Sequence, residues 1–383
     1  MTTFGKGSGD EAALLQAASM LDTAVVICHG FGMRPLATGL TILDEARATG
    51  GYTLFAPLER EEALLIDLGG DVVHRWDIGG LPGDYGYLLP GGRLLCGVKV
   101  ESGPQPAGGK GGHLKEFDWD GNLLWEHVDD AHHHDFRRLA NGNTLYIGWE
   151  PMPAAAAERV RGAEPGSEDE GGTMWGDFLK EVTPEGDIAW EWHAHSDLAL
   201  EDFPLHPMST RLEFAHCNAC EELPDGNIML SFRRISTILI VDKRTRAVEW
   251  FMRDDGWGQQ HDCTMLENGN ILLFANGIHV PRGVFHSAVV EIDPRTREEV
   301  WRYEDVPRWN FFSPNISGAQ RLRSGNTLIC EGLTGRLFEV TPDGDIVWEY
   351  VNPWFGPSGT GEANRVFRAY RYQADSPELG GRF

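Results

Sequence analysis

Long apolar runs are missing from this sequence. Ala24–Cys28, the candidate near the N-terminus, is too short for a secretory core or a membrane span. No basic segment precedes it, so the expectation is a cytoplasmic protein with no membrane partner. Basic residues are scarce as well. Lys and Arg number 33 against 58 Asp and Glu, a formal net charge of −25. A surface of that sign repels phosphate backbones and anionic lipid, which argues against nucleic acid as a partner. An anionic substrate would need a local pocket of positive charge. Cysteine is sparse: Cys28, Cys96, Cys217, Cys220, Cys263 and Cys330 are scattered, which excludes a disulfide framework. Cys217 and Cys220 make one CxxC, and without a second such pair it is a weak structural-zinc signal. The signature of disorder is absent too, since 41% of residues are hydrophobic.

Glycine and tryptophan are plentiful, 47 and 13 residues, and they recur in register. Trp76, Trp125, Trp190, Trp250, Trp301 and Trp348 sit in matching contexts, among them DIAWEW, EEVWRY and DIVWEY. A turn dipeptide precedes each: Gly69-Gly70, Asp120-Gly121, Glu185-Gly186, Arg244-Thr245, Arg295-Thr296 and Asp343-Gly344. A second set recurs at Gly91-Gly92, Asn141-Gly142, Asp225-Gly226, Asn268-Gly269 and Ser324-Gly325. These dipeptides predict two-residue hairpins, because Gly and Asn accept positive φ. A four-stranded unit repeated about every fifty residues is the pattern of a propeller blade. The expected fold is therefore all-β: a six-bladed β-propeller over residues 51–383. In the closing blade Arg365–Tyr372 supplies strand A, and Tyr52–Leu58, Ala63–Leu68 and Val72–Ile78 supply B to D. Residues 1–50 form an N-terminal extension. Helical spacing over Glu11–Leu21 reads as a strap or oligomer contact, a homodimer being one option.

Propeller geometry assigns the tight Gly turns to one face. The long connections Glu101–Gly112, Pro151–Asp177, Ser196–Ala215, Gly277–Phe285 and Glu304–Ile316 fall on the other, which is the expected working face. Aligning the innermost strands on the leucine before each Gly turn gives a ring of axial positions. His134, Asn218, His261 and Ser317 lie five residues before it, with Arg365 as the counterpart in the closing blade. His132, His216, Gln259 and Asn315 lie two residues further back. Arg233 ends strand B of blade three on that face, and Tyr85 and Tyr87 come from blade one. Recurrence of His and amide residues at one register favours function over solvation. His74, His127, His193, His195 and His206 read as ordinary hydrogen-bonded or solvated residues. The six tryptophans read as packing between blades, and Glu164–Glu170 as a solvated acidic loop.

At these residues the chain resembles the bacterial arylsulfotransferase family. The resemblance rests on His216-Cys217-Asn218 with Leu230–Arg233, on Gln260-His261-Asp262, on Pro314–Gly332 and on Asn364–Tyr372. It implies a six-bladed propeller that moves a sulfuryl group from an aryl sulfate to a phenol without a nucleotide donor or other cofactor. It implies that His261 is transiently sulfated, that His216, Asn218 and Arg233 bind the sulfuryl oxygens, and that His134 is a further active-site histidine. His132, Gln259, Asn315, Tyr85 and Arg365 then remain as substrate-binding candidates. Two alternatives stand beside this one. His134, His216 and His261 could converge on a divalent metal ion at the axis, giving a lyase or hydrolase. A propeller can also be a binding module without catalysis.

Overall fold

The computed structural model describes residues 36–279, 283–359 and 361–383. Six four-stranded antiparallel sheets follow one another along the chain as blades. In blade one the strands from the axis outward are Pro82–Leu89, Arg93–Lys99, Gly112–Phe117 and Leu123–Val128. Blade two runs from His132 to His193, blade three from Cys217 to Arg253, blade four from His261 to Tyr303 and blade five from Gly318 to Val351. The closing blade pairs Val366–Tyr372 from the C-terminus with Tyr52–Pro57, Glu62–Ile66 and Val72–Asp77, as the sequence pattern predicts.

The hydrophobic core lies between neighbouring sheets. Leu54, Trp76, Leu94 and Phe117 join the closing blade to blade one; Leu272, Phe274, Ile329 and Phe338 join blades four and five. Strands B are mostly apolar because both of their faces meet another blade: Ile271–Ala275 and Ile228–Phe232 are buried at every position, Ser231 being the one polar residue in the two. The six tryptophans of the outer strands do pack between blades, and each also makes the same hydrogen bond. Its indole N–H donates to a backbone carbonyl at the C–D turn of the next blade. The acceptors are Asp118, Pro184, Lys243, Pro294, Pro342 and Leu68, at 2.7–3.0 Å. The last of these, from Trp348 to Leu68, crosses the junction between the chain's two ends.

Three expectations change. The A–B turns are three-residue loops rather than two-residue ones. In blade four Leu266 N–H reaches Asn270 O, Gly269 N–H reaches Leu266 O, and Gly269 takes φ +82°. That is a type I turn followed by a left-handed residue, which keeps the glycine requirement but moves it to the last place. Second, Gly39–Leu43 adds a fifth strand to the outer edge of blade five, pairing with Ile346–Val351. Part of the N-terminal extension therefore belongs to the sheet and covers an edge. Glu11–Leu21 lies outside the described residues. Third, the inner strands begin with bulges. Pairing jumps from Phe136/Tyr146 to His132/Gly148, from Thr264/Leu272 to His261/Phe274, and from Ala369/Phe55 to Val366/Pro57. Left-handed non-glycine residues cluster there: Asp84, His134, His216, Asp262 and Ser317. Each costs about 1 kcal/mol or more and re-aims a side chain at the axis.

Candidate functional site

A cavity of about 250 Å³ opens on the face of the long connections. His134, His216, Arg233, His261 and Asn315 line it, five of the ten residues predicted for the site, together with Phe367, Ile316, Arg234 and the Pro106–Gly109 segment. That segment comes from the B–C connection of blade one. A Cβ at Gly109 would run into the His134 ring, and Gly109 takes φ +94°, so only glycine lets this loop lie so close to the histidine.

His261 is held by a residue that sequence reasoning missed. Its Nδ1 lies 2.7 Å from Asn276 Oδ1. The Asn276 amide N–H groups donate to Ser313 O and Ile316 O, at 2.8 and 3.0 Å, so its oxygen is the atom left to face His261. His261 Nδ1 must then carry the proton, and Nε2 is a lone pair. Burial, reinforced by the Arg233 guanidinium, lowers the His261 pKa well below its ordinary value, which keeps the ring neutral. Arg233 makes no side-chain hydrogen bond or ion pair among the described residues. Burial brings its pKa down to about 10, so it stays charged at neutral pH. Asn276 follows strand B of blade four at the place where Arg233 follows strand B of blade three. Extending that register by one blade would have found it.

The second half of the site is a row of imidazoles. His134 Nε2 and His216 Nε2 are 3.1 Å apart. Behind His216, Nδ1 meets Glu213 Oε1 at 2.5 Å, and Arg234 Nε donates to the same oxygen at 2.7 Å. Burial alone would raise the Glu213 carboxyl, but His216 and Arg234 hold it well below the usual carboxylate range. Behind His134, Nδ1 meets His133 Nδ1 at 2.8 Å. The far side of His133, Nε2, faces Asp177 Oδ1 at 3.2 Å. Both of those atoms are buried, and among the described residues neither has another hydrogen-bond partner. Asp177 Oδ2 accepts the backbone N–H groups of Ala215 and Cys217, at 2.9 Å each, which fixes the turn carrying His216. Burial, with Glu213 nearby, pushes the Asp177 carboxyl up to about 7. Glu213 lies in a long irregular connection, where no repeat register points to it.

The remaining five predicted residues lie elsewhere. Arg365 forms an ion pair with Glu59 at 2.6 Å. The axial arginine of the closing blade is Arg368, which is fully buried and paired with Asp262 at 3.1 Å and Asp135 at 3.3 Å. Tyr85 bonds Asp135 and Arg137 in the same buried plug. Asn218 is buried against the Gln260 carbonyl at 2.8 Å. His132 Nδ1 accepts the Gly112 N–H, and burial lowers its pKa to about 3. Gln259 is buried beside Ser236, its N–H donating to the hydroxyl. Bulges of unequal length explain these misses, because counting back from the turn loses register across them. The metal alternative is not met by the geometry. Among the described residues the group whose ligand atoms lie within 4.8 Å of one another is Glu150, His193 and His195, not His134, His216 and His261. A larger hollow, about 940 Å³, opens where the tight turns gather, around Arg137, Arg138, Glu221 and Met265. It holds no histidine.

A comparison with curated proteins returns no match. Among solved structures, a protein of unknown function from Bacteroides caccae is similar at 12% identity. It has a TM-score of 0.51, with 84% of this chain and 98% of that chain covered. A streptogramin B lyase matches at 11% identity and TM-score 0.44, covering 82% of each chain. Virginiamycin B lyase from Staphylococcus aureus matches at 11% and 0.39, covering 77% of this chain and 85% of that one. At these identities the first likeness is one of fold, and the lower scores add no argument. A family profile described as Arylsulfotransferase (ASST) matches residues 102–353, well over half of the sequence. The chain belongs to the arylsulfotransferase family.

Proposed function

We propose that this protein transfers a sulfuryl group from an aryl sulfate to a phenolic acceptor in two steps through His261. The observation that carries the proposal is the fixed tautomer: Asn276 holds His261 Nδ1–H, leaving a neutral Nε2 lone pair in the cavity that the Arg233 guanidinium also lines. In the first step Nε2 attacks sulfur, the N–S bond forms and the S–O bond to the aryl group breaks. The ring becomes cationic, and the Asn276 oxygen accepts from its polarised Nδ1–H. Arg233 matches charge on the sulfuryl oxygens. Phe367 and Ile316 supply an apolar wall for an aryl ring. In the second step a phenol attacks the same sulfur and His261 returns to its starting state.

The leaving phenolate takes a proton from the imidazole row, and the acceptor phenol gives one back. Hydrogen-bond counting supports a place for that proton. With Glu213 ionised, His216 donates through Nδ1, so His134 donates through Nε2 and His133 through Nδ1. Three neutral imidazoles supply these three protons. The contact between His133 Nε2 and Asp177 Oδ1 then needs one more, because two buried lone pairs would otherwise face each other. The row therefore holds one extra proton, with Asp177 as its resting place.

The test is incubation with 4-nitrophenyl sulfate, with and without a phenol. Nitrophenol release, and a single sulfuryl adduct mapped to His261 when no acceptor is present, support the proposal. Folded protein that neither turns over nor becomes labelled overturns it for simple aryl sulfates.

A further inference from the structure

We propose that Glu150, His193 and His195 form a binding site for a divalent cation of the zinc type, on the same face as the cavity but outside it. Glu150 stands near the end of strand B of blade two, Thr144–Pro151, and His193 ends strand D, Ile188–His193. His195 lies in the single helical turn that follows, Ala194–Asp197. The antiparallel order brings these strand ends together, so residues 43 and 45 positions apart in sequence become neighbours. His193 Nδ1 is 2.8 Å and His195 Nε2 3.4 Å from the same Glu150 oxygen. Zinc bonds of about 2.0–2.2 Å at tetrahedral angles separate ligand atoms by roughly 3.3–3.5 Å; the two distances to Glu150 are close to that, and all three ligand atoms lie within 4.8 Å of one another.

The electrostatics point the same way. Glu191 Oε2 is 3.8 Å from His193 Nε2, and Asp197 Oδ2 accepts the His193 backbone N–H at 2.9 Å. Among the described residues no Lys or Arg pairs with Glu150, Glu191 or Asp197. Three carboxylates therefore surround two imidazoles in a chain of net charge −25. A simple ion pair needs one histidine on Glu150, and the second one is the surplus a metal would use. Two nitrogen ligands and one oxygen ligand favour zinc over magnesium or calcium, which prefer oxygen. All three side chains are about one-quarter exposed, so a fourth position is open to water. The consequence is mechanical: the bound ion pins the start of the connection that continues to Glu213 and His216.

The test uses the full chain with its affinity tag removed, stripped with EDTA and desalted. ZnCl2 is titrated by calorimetry, and melting temperature is recorded with zinc, magnesium or calcium. One equivalent of zinc should bind and raise the melting temperature, with no such effect from the other two ions. Glu150→Gln and His195→Ala should each weaken zinc binding about tenfold or more, while His261→Ala should leave it unchanged. His195 is on a partly exposed turn, so its removal leaves the core intact even if the Glu150 variant is poorly folded. Failure to bind zinc, or equal binding by the wild type and His195→Ala, overturns the proposal. Loss of binding in His261→Ala instead moves the ion to the axis and overturns it too. None of these readouts depends on sulfuryl transfer.

Discussion

Asn276 decides which nitrogen of His261 carries the proton. Changing Asn276→Asp would place a carboxylate on Nδ1–H and raise the pKa of the ring. The acid limb of the pH profile of kcat/KM should then move to higher pH, because the imidazolium has no lone pair to attack with. Asp177 gives a prediction on stability. Its folded pKa is raised from the ordinary carboxylate value to about 7, so the native state binds a proton that the unfolded chain has lost. Its stabilising contribution is fully present below about pH 4 and is lost as pH rises through 7, a change on the order of 4 kcal/mol. Asp177→Asn puts a permanent N–H donor opposite His133 Nε2. The variant should show a flatter stability profile than the wild type in urea unfolding between pH 4 and 8. His134, His216, Arg233 and His261 were legible in the sequence because they recur at fixed offsets from turns. Glu213 and Asp177 were not: Glu213 sits three residues before His216 in a connection with no counterpart in the other blades, and Asp177 acts across about forty residues of sequence.

The indole latch belongs to the element scale. Each outer-strand tryptophan ties its blade to the next through one N–H, so Trp301→Phe removes the bond but keeps most of the ring's packing. The expected loss is about 1 kcal/mol, read from the urea midpoint. Trp348→Phe should cost more, since Trp348 is fully buried at the ring closure. Glycine 109 gives the converse case, a surface loop where one methyl group matters. Gly109→Ala would press against the His134 ring, so the expected outcome is loss of transfer with little change in melting temperature. The turn dipeptides and tryptophans made the strands legible, and the observed boundaries differ from the expected ones by only a few residues. The bulges were invisible, because whether an extra residue is absorbed depends on the partner strand rather than on its own sequence.

At the scale of the whole molecule, the two ends of the chain share a blade, and strand Val366–Tyr372 also carries Arg368 into the axis. Deleting residues 366–383 would leave Tyr52–Pro57 as a bare inner edge, remove the cation paired with Asp262 and leave Asp135 with Arg137 alone. Such a chain should fail to give a cooperative unfolding transition, measured by circular dichroism. The sequence by itself determined the repeat, the six blades, the closure and the face on which the long connections gather, because each follows from periodic spacing of turn and core residues. Only the tertiary structure decided which axial side chains reach the cavity. That depends on bulges that rotate the inner strands and on partners such as Glu213, Asn276 and Asp177, brought in from other strands and connections. A repeat register fixes where a residue enters the ring, while contacts between segments distant in sequence fix which way it points and which proton it holds.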